Sequence, residues 1–356
     1  TWKYLLFADF ILFRLGADPC TDYSLAARTL AFDVFKKQWS PELMDCAGID
    51  ADKFGRPVQS GTIVGQISGR LASELCLPAG VLLVAGGHDQ GCAALGAGAI
   101  RSSLAADGMG TTECITPVFS RPVMPEKMAL NHYACVPHVV PNLYVTYAFT
   151  FTSGSVLKWY ADYWGGSYRE EAERQGISIY DLMIGAAARE PGSLFLLPHF
   201  AGAATPYMDQ AARGAIVGLT IDTRPADIVK AILEGLTYEM MINMEHLTSA
   251  GIQIGELLAV GGLARSDVFL QLKATMMGKK VTTLAISEAG TLGVAILAGT
   301  AAGVYKNYEE AVGLLVRQKK TFYPDDRLHE QYQELFETYK KMYPAVKNIT
   351  GGANPN

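Results

Sequence analysis

Val81-Leu82-Leu83-Val84-Ala85, then Gly86-Gly87, then His88-Asp89-Gln90 and a run of small residues to Gly98, is the most sharply written unit of the chain. A continuous apolar run bounded by glycines reads as a strand buried on both faces, and the small residues behind it read as a tightly packed helix. The pattern recurs: Leu-Leu-Val-Ala-Gly-Gly-His-Asp at 82–89 is echoed by Leu-Leu-Ala-Val-Gly-Gly-Leu-Ala at 257–264, with a new helix opening near Ser266. Two such units predict an α/β protein of two lobes on similar plans with a cleft between them. Ligands of open α/β sheets sit outside the carboxyl ends of the strands, which points to the loops at 86–90 and 261–266.

Before the first unit, Trp2, Leu5, Leu6, Phe10 and Phe13 suggest a helix already under way at Thr1. Between the units, Leu143 to Thr152 has the Tyr, Thr, Val and Phe content of a strand, and Ser153-Gly154-Ser155 opens a helix through Lys158, Trp159 and Tyr163. Pro225 lies in the first turn of a long helix whose apolar positions Val229, Ile232, Leu236, Met240, Met244 and Leu247 step by three and four until Gly251 stops it.

The 356 residues are enough for two or three domains. Hydrophobic residues make up 49% and charged residues 18%, which excludes a disordered or collagen-like chain. Thirty Lys and Arg against 35 Asp and Glu give a net charge of -5, so the general cationic field that holds nucleic acid is absent. No apolar run is long enough for a bilayer, and Lys3, Asp9 and Arg14 interrupt any signal-peptide core, so no membrane partner is expected. The six cysteines lack metal-ligand spacing; they read as reduced, mostly buried thiols of a cytoplasmic protein, with no metal-ligating residue assigned.

Asp89, at the mouth of a helix, is the carboxylate with the clearest chemical prospects. It reads either as a plain N-cap or as a base that accepts the proton of a substrate hydroxyl, with Gln90 beside it to orient the same hydroxyl. His88 reads as a packing or hydrogen-bonding residue. Asp107-Gly108-Met109-Gly110-Thr111-Thr112 could present backbone N–H groups to an anion or be an ordinary Asp-Gly hairpin turn. A P-loop and a complete Rossmann fingerprint are both absent, which disfavours a dinucleotide enzyme.

The order of these pieces resembles the FGGY family of carbohydrate kinases, particularly its xylulokinase-like members. Gly214-Ala-Ile-Val-Gly-Leu, seven residues, then Asp227-Ile228 and Ala231-Ile232-Leu233-Glu234 fit that family's C-terminal signature at every defined position. The resemblance runs from near Thr1 to about Tyr343. It implies a two-lobed ribonuclease-H-like, actin-like ATPase fold with an incomplete N-terminal lobe: the remainder of that lobe, on the sugar side, over 1–101, a nucleotide-side lobe over 102–343, and a polar tail over 344–356.

It also implies ATP-dependent phosphorylation of a sugar or polyol hydroxyl, with ATP and Mg²⁺. Asp89 is then the general base and Gln90 a substrate contact. Gly110 and Thr111 fall in the loop over the phosphates, Gly154 matches a nucleotide-contacting glycine, and Gly261, Gly262 and Ser266 match the turn holding the α-phosphate and adenine. Lys158 stands where some relatives carry glutamine. Pro206–Gly214 and the small-residue helix over Glu288–Gly299 are expected to be structural.

The family's opening hairpin with its Asp-x-Gly-Thr motif has no counterpart here. The first part of the N-terminal lobe is therefore expected to be missing or supplied separately, and this piece to bind nucleotide weakly and catalyse poorly alone. Two other readings share the cleft: a non-catalytic sugar- or nucleotide-binding protein, and an ATP-driven chaperone or filament protein of the actin type, which the signature at 214–234 disfavours. A homodimer is compatible with the sequence, which does not specify the sugar or polyol.

Overall fold

The computed structural model describes residues 1–351 except Pro122, Ala188 and Ser287. The long helix explains much of the rest. Pro225 occupies its first turn, Asp227 accepts the Arg224 N–H at 2.8 Å, and the helix runs Pro225–Ser249 to a stop at Gly251, whose φ is +95°. Its apolar stripe, from Val229 through Leu247, lies in the main core.

That helix packs beside a central sheet. The strand Ile254–Val260 runs parallel to Ser103–Met109 on one side and to Lys280–Leu284 on the other. Gln318–Phe322 closes one edge antiparallel to Lys280–Leu284, and Glu113–Phe119 folds back antiparallel on Ser103–Met109. Tyr144–Val145 and Ala148–Thr150 both pair antiparallel with Glu113–Phe119, and Val136–Pro137 extends the sheet beyond Tyr144–Val145. Three antiparallel strands continued by parallel ones across the first is the ribonuclease-H-like plan of an actin-like lobe. The expected single strand over 143–152 is thus two short strands.

The first lobe is built from smaller pieces: the helix Phe7–Leu15, a parallel pair Cys20–Asp22 and Arg56–Val58, and an antiparallel pair Ile63–Gln66 and Leu82–Val84. Two sequence expectations change here. The helix begins at Phe7 rather than Thr1, because Tyr4 is drawn into a bridge with Phe54. The run 81–85 is a half-buried strand of a two-stranded antiparallel sheet, whereas its echo at 257–260 lies mid-sheet between two parallel neighbours. The two Gly-Gly units therefore share a sequence pattern but differ in strand pairing and in turn: Gly261 has φ +101°, whereas Gly86 and Gly87 are not at positive φ.

The lobes meet where the helix Asp89–Gly96 crosses the helix Ala289–Ala301. A Cβ on Gly96 would lie 1.8 Å from the Ala289 carbonyl oxygen, and one on Gly293 would lie 1.9 Å from that of Cys92. Backbone touches backbone, which only glycine on both sides permits. Met342–Thr350 forms a helix carrying Lys347, paired with Asp209 at 2.9 Å; residues 352–356 of the expected tail lie outside the described residues. Only Cys20 and Cys92 of the six free cysteines are buried, fewer than expected, and Cys46 and Cys76 are exposed.

Candidate active site

Asp89 follows the short strand Leu82–Val84 and is the first residue of its helix; His88, not Asp89, is the N-cap. The reason lies beneath. The buried Asp22 accepts from the Ser24 hydroxyl at 2.9 Å and from Ser60 at 2.5 Å, and the Ser24 oxygen then takes the His88 backbone N–H at 2.8 Å. His88 is thereby anchored by its backbone, and the Asp89 side chain is turned outward, 81% exposed. Its Oδ1 accepts the Gln90 N–H at 2.7 Å and lies 3.2 Å from His88 Nδ1, which leaves Oδ2 without a protein partner among the described residues. Burial pushes His88 below the usual imidazole range, so its ring is neutral at physiological pH.

Tyr147 ties this cluster to the second lobe. Its hydroxyl lies 3.3 Å from His88 Nδ1, and the Arg28 guanidinium sits 5.9 Å over its ring. The Cys114 thiol on the strand Glu113–Phe119, pushed up to about 12 chiefly by burial, also feels the Asp89 charge.

The hairpin between Ser103–Met109 and Glu113–Phe119 carries the second group of residues singled out from the sequence. Gly110, Thr111 and Thr112 form its exposed tip, closed by Gly110 N–H to Thr112 O at 2.9 Å. Asp107-Gly108 is not the turn; both residues lie inside the strand Ser103–Met109. The tip's carbonyls cap the helix Gly154–Tyr163: Gly154 N–H donates to Gly110 O at 3.0 Å, and Ser153 N–H to Thr111 O at 2.9 Å. The Thr111 and Thr112 N–H groups have no backbone acceptor among the described residues and lie on an exposed tip.

Gly261 completes the arrangement. With φ at +101° and a virtual Cβ 2.4 Å from the Met109 carbonyl oxygen, it lets the Gly261-Gly262 turn lie against the hairpin. The structure thus brings Gly110, Thr111, Gly154, Gly261 and Gly262 together. Ser266 caps the helix Asp267–Met277 by accepting Phe269 N–H at 3.3 Å. Lys158 is exposed and pairs with Asp162 one turn on at 2.6 Å, which raises its pKa.

Sequence reasoning missed what lies under these loops. Lys273 is wholly buried, with Nζ 2.6 Å from Asp107 Oδ2 and in contact with Glu113 Oε1; Ser153 donates to Glu113 Oε2 at 3.1 Å. Lys273 one turn after Phe269, on the apolar face of its helix, was the available signal. The Asp22–Ser24–Ser60 network gave none, since its members are 38 residues apart at the extremes.

Comparison with known proteins gives the family. The N-terminal domain of the FGGY family of carbohydrate kinases matches residues 1–96 and its C-terminal domain residues 107–302. The chain is 28% identical over 349 residues to the xylulose kinase of Staphylococcus epidermidis, covering 98% of this chain and 68% of that protein. To the autoinducer-2 kinase of Escherichia coli K12 it is 29% identical over 344 residues, covering 95% of this chain and 64% of the relative. The crystallised xyloylose kinase of Brucella ovis superposes with a TM-score of 0.86 at 25% identity, over 98% of this chain and 69% of that one. With a two-lobed actin-like fold and both family domains matched along its length, the chain belongs to the FGGY family of carbohydrate kinases.

Proposed function

We propose that the protein transfers the γ-phosphoryl group of ATP to a hydroxyl of a sugar or polyol, with Asp89 as general base. The observation that carries this reading is the exposed Asp89 carboxylate: one oxygen is fixed by Gln90 N–H and faces His88, and the other has no protein partner among the described residues. Oδ2 takes the proton of the acceptor hydroxyl as its oxygen forms the new bond to phosphorus; the bond from phosphorus to the bridging oxygen breaks, and ADP leaves. His88 holds Oδ1 when its Nδ1 carries the proton. Tyr147 competes for the same nitrogen, so the imidazole tautomer sets how firmly the base is oriented.

On the opposite wall the Thr111 and Thr112 amides and hydroxyls receive the phosphates, with the Gly261-Gly262 turn beside them. Ser266 and Lys158 are the flanking nucleotide candidates; Lys158 reaches ATP by exchanging Asp162 for a phosphate. Gln90 contacts the sugar. Mg²⁺ accompanies ATP in phosphoryl transfer, but among the described residues no group of three or more His, Cys, Asp or Glu is placed to hold a metal. An ion carried mainly by the nucleotide's phosphates would need only one or two such carboxylates. No step here is routed through it.

The names of the relatives make xylulose the first sugar to try, followed by phosphorylatable polyols. A coupled assay of ADP release over a panel of free sugars and polyols tests the reading. Asp89→Asn removes the base from an exposed position, so it should fold normally, bind ADP as before and lose sugar-dependent turnover by at least a hundredfold, about the scale of general-base catalysis. Undiminished turnover in that variant removes Asp89 from the role. Ligand-dependent stabilisation with no ADP formed on any acceptor supports the non-catalytic alternative.

A further inference from the structure

The buried ions beneath the hairpin call for an explanation that packing does not give. Two carboxylates share one ammonium, and Lys273, Asp107 and Glu113 are each at most 1% exposed. Burial pushes both carboxyls up, Glu113 to about 7; neither Asp107 oxygen has a hydrogen-bond partner of good geometry among the described residues, Oδ2 being held by the charge of Lys273 at 2.6 Å. Apolar side chains of similar volume commonly match or exceed the stability of such a cluster, so stability alone is a poor reason for its presence.

Its connections are specific. Glu113 directly follows Thr112; Ser153 directly precedes Gly154; Asp107 stands in register with Ala259, two residues before Gly261. Lys273 belongs to the helix that the Gly261-Gly262 turn leads into, and its Nζ also lies 3.5 Å from the Met109 sulfur. None of these groups is hydrogen-bonded to Asp89, His88 or Gln90.

We propose that Lys273, Asp107 and Glu113 are positioning residues for the nucleotide: a buried ion cluster that locks the hairpin tip to the helix behind the Gly261-Gly262 turn and, through Ser153, to the mouth of the Gly154–Tyr163 helix. The inference rests on the nucleotide reading of those loops given above. A charge cluster with fixed donor and acceptor directions sets the relative placement of three segments where apolar packing would tolerate sliding, and phosphate-binding amides lose affinity quickly when displaced.

Two variants of the chain test it, the triple Asp107→Asn/Glu113→Gln/Lys273→Met and the mild Ser153→Ala. The readouts are melting temperature, ADP affinity by calorimetry, the Michaelis constant for whichever acceptor the panel identifies, and hydrogen exchange of the peptide spanning 105–116. The triple variant is expected to melt near the wild-type temperature, bind ADP about tenfold more weakly, exchange faster at 110–112 and keep its acceptor Michaelis constant; Ser153→Ala should weaken ADP about threefold.

A folded triple variant with wild-type ADP affinity and exchange overturns the proposal, as does an equal loss on the acceptor side. Should the triple variant fail to fold, Ser153→Ala decides, and unchanged ADP affinity there refutes the cluster's role. A wild-type chain that binds no ADP at all refutes the nucleotide reading, while hairpin exchange in the variants still reports on whether the cluster positions the tip.

Discussion

Gly261→Ala should be costly and Gly262→Ala, one residue later, should not. At Gly261 two penalties coincide. Its φ of +101° is a conformation that costs an L-residue about 1–2 kcal/mol, and the added Cβ would lie 2.4 Å from the Met109 carbonyl oxygen, 2.8 Å from its carbon and 3.1 Å from its nitrogen. Those atoms cannot retreat easily, because Val260 is held in parallel register with Gly108 at the end of a six-rung ladder. Crowding of this kind adds about 1–3 kcal/mol, so the sum is about 2–5 kcal/mol.

For a large domain each kcal/mol moves the melting temperature by about 2–4 °C, giving a fall of roughly 4–20 °C. Gly262 sits at φ -65° and ψ -47°, with nothing within 4 Å of its virtual Cβ, so alanine there fits and gains about 0.4–1 kcal/mol by restricting the unfolded chain. Thermal unfolding followed by circular dichroism in one buffer compares the pair directly. Equal melting temperatures would mean that the turn does not press on the hairpin, and the juxtaposition on which the proposed nucleotide site rests would fall with it.

Two further outcomes follow from buried contacts elsewhere. Asp9 is 3% exposed and accepts from Thr21 Oγ1 at 2.6 Å, and burial raises its pKa from 3.8 to about 6. Between those values the folded state keeps a proton that the unfolded state has released, so this group's contribution favours folding less as pH rises from about 4 to about 6 and is constant above. Asp9→Asn should therefore gain in melting temperature relative to wild type across that window; parallel curves from pH 4 to 7 count against it. At the lobe crossing, Gly293→Ala places a methyl 1.9 Å from the Cys92 carbonyl oxygen, whereas Gly290→Ala in the same helix meets nothing within 4 Å. Urea midpoints should separate the two by about 2 kcal/mol or more, and coincident midpoints would show that the helices are not in backbone contact.

The elements most legible in the sequence were those whose signals are local. Pro225, the three-and-four stepping of Val229 to Leu247 and Gly251 mark the long helix to within two residues of its observed ends, because capping and periodicity are both written along the chain. The run at 81–85 misled for the opposite reason. An apolar strand flanked by glycines looks the same whether its partners are parallel neighbours in a central sheet or one antiparallel strand, and only the pairing of Leu82–Val84 with Ile63–Gln66 tells them apart. Likewise, residues 146 and 147 interrupt the strand read over 143–152, and it is there that Tyr147 reaches across to His88, a tertiary contact with no local signal.

The site divides along the same line. Asp89, Gly110 and Gly261 could be picked out because glycine turns and a carboxylate beside a helix start are local chemistry. Asp107 shows the limit. Followed by glycine, it carries the sequence signal of a tight turn, yet it stands mid-strand at zero exposure because Lys273, 166 residues later, supplies the counter-charge that makes its burial tolerable. The turn falls three residues on, at Gly110–Thr112, beyond the end of the extended strand. A long-range ion pair has thus overridden a local turn preference by shifting the hairpin tip, which is the physical reason that the proposed phosphate-binding tip and the cluster beneath it should respond together when Lys273 and its two carboxylates are replaced.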